Sequence, residues 1–147
     1  MPFDHAAWLE RLKVPNPPRV LAVGGEERAF VEEARQTMRS LVLAPGTETL
    51  NHDRLNAEQV GLDRILMVAE SLPMMGSLRL VEVTNIEKID ADRLKPLEAY
   101  LANPCPSTVL LLVFGQLDLR TKLAKLLDKA ALLGRFTHPK DGEMRRI

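Results

Sequence analysis

The amino-acid sequence predicts a three-layer α/β domain built on a mostly parallel, five-stranded sheet. Three observations lead there. Short apolar runs, "RVLAV" at 19–23, "LRLVEV" at 78–83 and "STVLLLVF" at 107–114, have the length and composition of strands buried on both faces. Between them lie segments whose apolar residues recur at helical spacing, and strands alternating with helices predict a parallel sheet covered on both sides. The chain has 147 residues, the size of one compact domain, and a domain of that size buries roughly 68–70% of its unfolded surface.

The elements follow in order. Residues 4–13 read as a short helix with Trp8, Leu9 and Leu12 on one side. "VPNPP" stops it, because proline cannot continue a helix and restricts the residue before it. The first strand, 19–23, runs into Gly24-Gly25 and then a helix of about fifteen residues, on which Phe30, Ala34, Met38 and Leu41 form the apolar stripe. "PGTETL" turns the chain into a weak second strand near 47–51. A second amphipathic helix carries Leu62, Ile65, Leu66, Ala69 and Leu72 on one face. After the third strand, a helix starts around Pro96, a residue suited to the first helical position, and ends before Pro104. The fourth strand, 107–114, is followed by a long helix over 117–134. Asp118 is its expected N-cap and Gly134 its glycine stop. "RFT" at 135–137 reads as a short fifth strand.

Composition excludes several classes of function. Twenty basic and twenty acidic residues leave no net charge to attract nucleic acid or an anionic membrane. The single cysteine, Cys105, rules out an internal disulfide and a cysteine-based zinc site, and no histidine lies near it in sequence to activate it as a nucleophile. No apolar run is long enough for a membrane span, and the polar, amphipathic N-terminus is no signal peptide, so a cytoplasmic protein is expected.

Chemistry is sought at the carboxyl ends of the strands, where open α/β sheets bind ligands. The first strand ends in "VGGEERAF", without the lysine and hydroxyl of a phosphate-binding loop and with Glu26 and Glu27 where a triphosphate would need cations. A tight strand-to-helix turn, with acids suited to a helix N-terminus, is the simpler reading. Asp90 and Asp92 suit a helix start better than a metal. His5, His52 and His138 lie in three separate segments without ligand spacing. No catalytic set emerges, and no cofactor is expected. Lys122, Lys125 and Lys129 fall at i, i+3 and i+7, opposite Leu119, Leu123, Leu126 and Leu127. Such a stripe can follow a phosphate backbone, but it equally describes the solvated side of an amphipathic helix, and no aromatic residue interleaves it to stack bases. One stretch resists these readings. "ESLPMMGSLRLVEV" places Met74 and Met75 between a proline and a glycine, at a joint where polar residues are usual. The pair either packs inside the domain or meets another molecule.

Taken together, "VGGEERAFVEEA", "SLPMMGSLRLVEVTN" and "LEAYLANPCPSTVLLLVFGQLDLRTKLAKLL" resemble, in order and spacing, the N-terminal domain of the delta subunit of bacterial DNA polymerase III, a clamp-loader component. The final "GEMRRI" resembles the family's passage into its next domain. The resemblance divides the chain into an N-terminal helix and connector (1–18), an AAA+-like α/β domain (19–140) and the start of a lid domain (141–147). It implies a degenerate AAA+ nucleotide fold without a working P-loop or catalytic activity of its own. It also implies binding to the ring-shaped sliding clamp through a hydrophobic wedge ahead of the third strand, which helps to open the ring. By position the wedge is Leu72, Met74 and Met75, with methionine at 75 where the family commonly has phenylalanine. Other clamp-loader subunits and primed DNA are the further partners implied, with Lys122, Lys125 and Lys129 as DNA-facing candidates. The rival readings are a noncanonical nucleotide-binding ATPase or switch, and a DNA-binding module.

Overall fold

The computed structural model describes residues 2–15, 17–74 and 78–137. Five parallel strands form one sheet in the order β2-β3-β4-β1-β5: β1 Val20–Gly24, β2 His52–Asn56, β3 Arg79–Thr84, β4 Thr108–Phe114 and β5 Leu132–Arg135. Pleating sends alternate side chains to opposite faces. Leu21, Val23, Leu80, Val109 and Leu111 join one core with Trp8 and Leu12, near α1 (His5–Glu10), and with Val31, Ala34, Met38 and Val42 of α2 (Arg28–Val42). Val20, Ala22, Val81, Leu110 and Leu112 join the other. There they meet Ile65 and Ala69 of α4 (Leu62–Ala69), Leu97 and Leu101 of α5 (Lys95–Ala102), and Leu123 and Leu127 of α6 (Lys122–Ala130). The three-layer arrangement is the expected one.

Several boundaries differ, each for a physical reason. The buried stripe of α2 is Val31, Ala34, Met38 and Val42, while Phe30 and Leu41 are exposed. Phe30 instead stacks on His5 with ring centroids 4.2 Å apart. The second strand starts at His52; the segment expected to be extended contains one helical turn, α3 (Glu48–Asn51). β2 is a half-exposed edge strand of sequence HDRLN, so it carries no apolar run to reveal it, and its pairing with β3 places it. α4 ends at Ala69, which leaves Leu72 beyond the helix and off its core stripe.

The largest departure concerns 117–134. Asp118 does not cap α6. It accepts from the backbone N–H of Arg120 (2.9 Å) and pairs with that residue's guanidinium. Thr121 is the cap, its hydroxyl accepting from the Ala124 N–H at 3.2 Å. The helix stops at Ala130, and Gly134 lies within β5 rather than after a helix. Short apolar runs such as "ALL" suit either state, and the open edge of β1 decides by offering a ladder from Leu21↔Leu132 to Gly24↔Arg135. Gly134 is required there because an added Cβ would lie 2.7 Å from the Trp8 ring and 2.9 Å from that of Phe136.

The N-terminal segment is packed into this architecture. Phe3 bridges Gly134, with hydrogen bonds to Leu133 and from Arg135, and so covers the edge of β5. Trp8 is fully buried and donates its indole N–H to the Leu132 carbonyl at 3.1 Å.

Candidate functional site

Because all strands run parallel, the two stretches singled out by sequence lie at opposite edges of the sheet. The Gly24-Gly25 turn follows β1 and sits at the carboxyl edge. The segment carrying Leu72 and Met74 precedes β3 and sits at the amino edge.

At the carboxyl edge, β1 turns into α2 through Gly25, whose φ of +125° strongly favours glycine. The turn is closed by the protein's own backbone. The Phe136 N–H donates to the Gly24 carbonyl at 2.8 Å, and the Phe136 carbonyl accepts from the N–H of Glu27, the N-cap of α2, at 3.1 Å. A Cβ on Gly25 would meet that same carbonyl at 2.3 Å. Nucleotide folds present free amides here to phosphate; in this turn one of them is already satisfied. A cavity of about 460 Å³ remains alongside, lined in part by Glu26, Asp118 and Arg135.

At the amino edge, Leu72 is 74% and Met74 57% exposed, among the most exposed large apolar side chains of the described residues. Met75 lies outside the described residues, as do Gly76 and Ser77. Met67, on the outer face of α4, is a further exposed apolar side chain at 61%; its place in a helical stretch drew no attention in the sequence. Two side chains hold the backbone at Leu72 and Met74. Asn51, fully buried at the end of α3, donates from Nδ2 to the Met74 carbonyl and accepts the Met74 N–H at Oδ1, both at 2.6 Å. Arg79, at the start of β3, donates to the Leu72 carbonyl at 3.0 Å and pairs with Asp53. No local pattern announces Asn51, since its partner is 23 positions away.

Next to Asn51 begins a buried charged cluster under α2. The fully buried Glu82 of β3 accepts from Arg35 (2.9 Å) and Arg39 (2.8 Å) of α2 and from His52 of β2. Burial pushes the Glu82 carboxyl up, but the hydrogen bonds from Arg39, Arg35 and His52 outweigh it and hold the group at about 2, against an ordinary 4.5. Arg39 is correspondingly raised by its hydrogen bond to Glu82. The cluster ties β2 and β3 to α2, and nothing in it resembles a nucleophile with a base.

Lys122, Lys125 and Lys129 are all exposed on α6, opposite the buried Leu123, Ala124 and Leu127. Leu119, expected on the apolar face, precedes the helix and is 41% exposed. The histidines do not converge: His5 stacks on Phe30, His52 joins Glu82, and His138 lies outside the described residues. Cys105 is half-buried beside the Ser107 hydroxyl. Among the described residues no group of His, Cys, Asp or Glu side chains could hold a metal ion, and no helix is long and apolar enough to cross a membrane.

A parallel 2-3-4-1-5 sheet, with a glycine turn after β1 where phosphate loops sit, defines the class as an AAA+-like nucleotide fold. The comparisons with known proteins narrow the class. The sequence profile of the family described as DNA polymerase III, delta subunit, matches residues 22–137. DNA polymerase III subunit delta of Bacillus subtilis is 32% identical over 143 residues, covering 90% of this chain and 40% of its own length. The solved structure of the Bacillus subtilis DNA clamp loader delta protein superposes with a TM-score of 0.83 at 27% identity, covering 97% of this chain and 45% of that one. A gamma subunit-related protein of DNA polymerase III from Thermotoga maritima shares the fold, with a TM-score of 0.62 at 13% identity over 97% of this chain and 48% of the other. The chain belongs to the delta-subunit family of DNA polymerase III and spans less than half the length of these relatives.

Proposed function

We propose that this domain is the clamp-gripping part of a clamp-loader delta subunit. In this reading it binds the ring-shaped sliding clamp through Leu72, Met74 and Met75 and favours the open ring. The observation that carries the reading is the exposure of Leu72 and Met74 on a backbone segment pinned at the amino edge of the sheet. Exposed side chains of this size give up apolar surface to water unless a partner covers them. Methionine fits an irregular apolar pocket because it is flexible and polarizable. Burying each side chain contributes about 1.5–3 kcal/mol before ordering costs, so a pair can dominate a small interface. Binding shifts the ring toward opening only through tighter contact with the open state.

The other clamp-loader subunits and primed DNA are the further partners in this reading, the cytoplasm its compartment, and Lys122, Lys125 and Lys129 the side that would face DNA. It assigns the domain no catalysis. The lack of a phosphate-loop lysine and the closure of the Gly25 turn by Phe136 support that assignment. Accordingly, ATP with magnesium leaves the melting temperature of the chain unchanged; a clear upward shift favours the nucleotide-switch alternative.

The decisive test is equilibrium binding to the sliding clamp of the same organism. The Met74→Ala, Met75→Ala double variant binds at least about thirtyfold more weakly than the parent, corresponding to ~2 kcal/mol for a hot spot. Its circular dichroism and melting temperature stay close to the parent's. Equal binding by the two proteins would overturn the assignment of the methionines as the clamp contact.

A further inference from the structure

We propose that Asn51 and Arg79 are positioning residues that preset the backbone of the apolar wedge before any partner arrives. This inference rests on the clamp-binding reading of Leu72 and Met74. Asn51 is fully buried, and its side-chain amide forms a reciprocal pair with the backbone amide of Met74, 2.6 Å in each direction. That pairing imitates one rung of a β-ladder, with a side chain in place of a strand. It uses both polar backbone atoms of Met74, so the residue is fixed while its thioether stays exposed. Arg79, 9% exposed, fixes the preceding point by donating to the Leu72 carbonyl at 3.0 Å, and is itself oriented by Asp53.

One anchor starts a strand of the sheet and the other stands immediately before its neighbour. Asn51 ends α3 immediately before β2, and Arg79 is the first residue of β3, which pairs with β2 in the register His52↔Leu80 and Asp53↔Val81. Two exposed apolar side chains on an otherwise free connection would have to be ordered on binding, at a cost in affinity. With both backbone points held by buried groups, much of that ordering is already present in the free protein. The two anchors therefore act through the wedge without needing to touch the partner.

The test compares the parent chain with Asn51→Ala, Asn51→Asp and the Leu72→Ala, Met74→Ala wedge variant. It measures sliding-clamp affinity, amide hydrogen exchange at Met74 and global unfolding. In folded Asn51→Ala the Met74 amide exchanges faster than in the parent, and the clamp is bound about tenfold more weakly, the effect of ordering one more residue on binding. Asn51→Asp keeps an acceptor for the Met74 N–H but sets a carboxylate oxygen against the Met74 carbonyl, so it too weakens binding and serves if the alanine variant fails to fold. In the wedge background the Asn51 substitution has no further effect on clamp affinity, because the Leu72 and Met74 side chains whose backbone the anchors hold are gone. If the wedge variant loses binding while a folded Asn51 variant retains it, the positioning role falls and the wedge reading stands. If the wedge variant binds like the parent, both fall. An unchanged Met74 exchange rate in the Asn51 variants also overturns the positioning role.

Discussion

Replacing Glu82 by glutamine lowers the melting temperature by roughly 10 °C at neutral pH, equivalent to about 3 kcal/mol of stability. The substitution preserves shape and removes the charge that neutralises Arg35 and Arg39, which are only 17% and 20% exposed. The exposed Glu32, 3.6 and 3.7 Å away, is the weaker carboxylate partner left to them. The pH dependence gives an independent check. The folded protein holds the Glu82 carboxyl at about 2, whereas an unfolded chain has it near 4.5. Between those values the unfolded chain binds the proton that the folded one refuses, so acid favours unfolding. The stabilisation is fully present above pH 4.5 and is lost as the pH falls toward 2. Thermal unfolding of the parent and of Glu82→Gln should therefore differ most above pH 4.5 and converge at the acid end. Parallel curves throughout that window would mean that Glu82 acts by packing alone.

Truncating Trp8 to alanine costs about 4 kcal/mol, as large aromatic-to-alanine changes in cores do. The ring is fully buried, meets Phe136 edge to face at 6.2 Å between centroids and rests against Gly134. Trp8→Phe, which keeps much of the apolar volume but gives up the rest of the indole and its hydrogen bond to Leu132, recovers part of the loss. Urea denaturation followed by circular dichroism measures both. A cost under about 1 kcal/mol for the alanine variant would show that the first helix is dispensable to the sheet. The prediction bears on function because Phe136, packed on Trp8, also closes the Gly25 turn through its backbone. Loss of the indole loosens the segment that stands where phosphate binds in other nucleotide folds.

The strands β1, β3 and β4 were legible in the sequence because they are buried on both faces. Burial on both faces demands continuous apolar runs, and no competing pattern fits "STVLLLVF". The missing phosphate-loop lysine and the unusual Met74-Met75 joint were equally plain, since composition at a turn is a local property. What the sequence by itself determined, then, is the layered α/β class, the strand-helix alternation and the stretch that departs from ordinary turn chemistry. Only the tertiary structure decided the rest. β2 and β5 are edge strands whose extended state is set by the neighbour they pair with rather than by their own residues. Leu72 changes from a stripe position to an exposed one because α4 stops at Ala69. Asn51, Arg79 and Glu82 acquire their roles from partners 7 to 47 positions away, in contacts between segments that only the folded chain brings together. Periodicity reports which face of an element is apolar; it carries no information on which distant polar group a buried amide, guanidinium or carboxylate will meet.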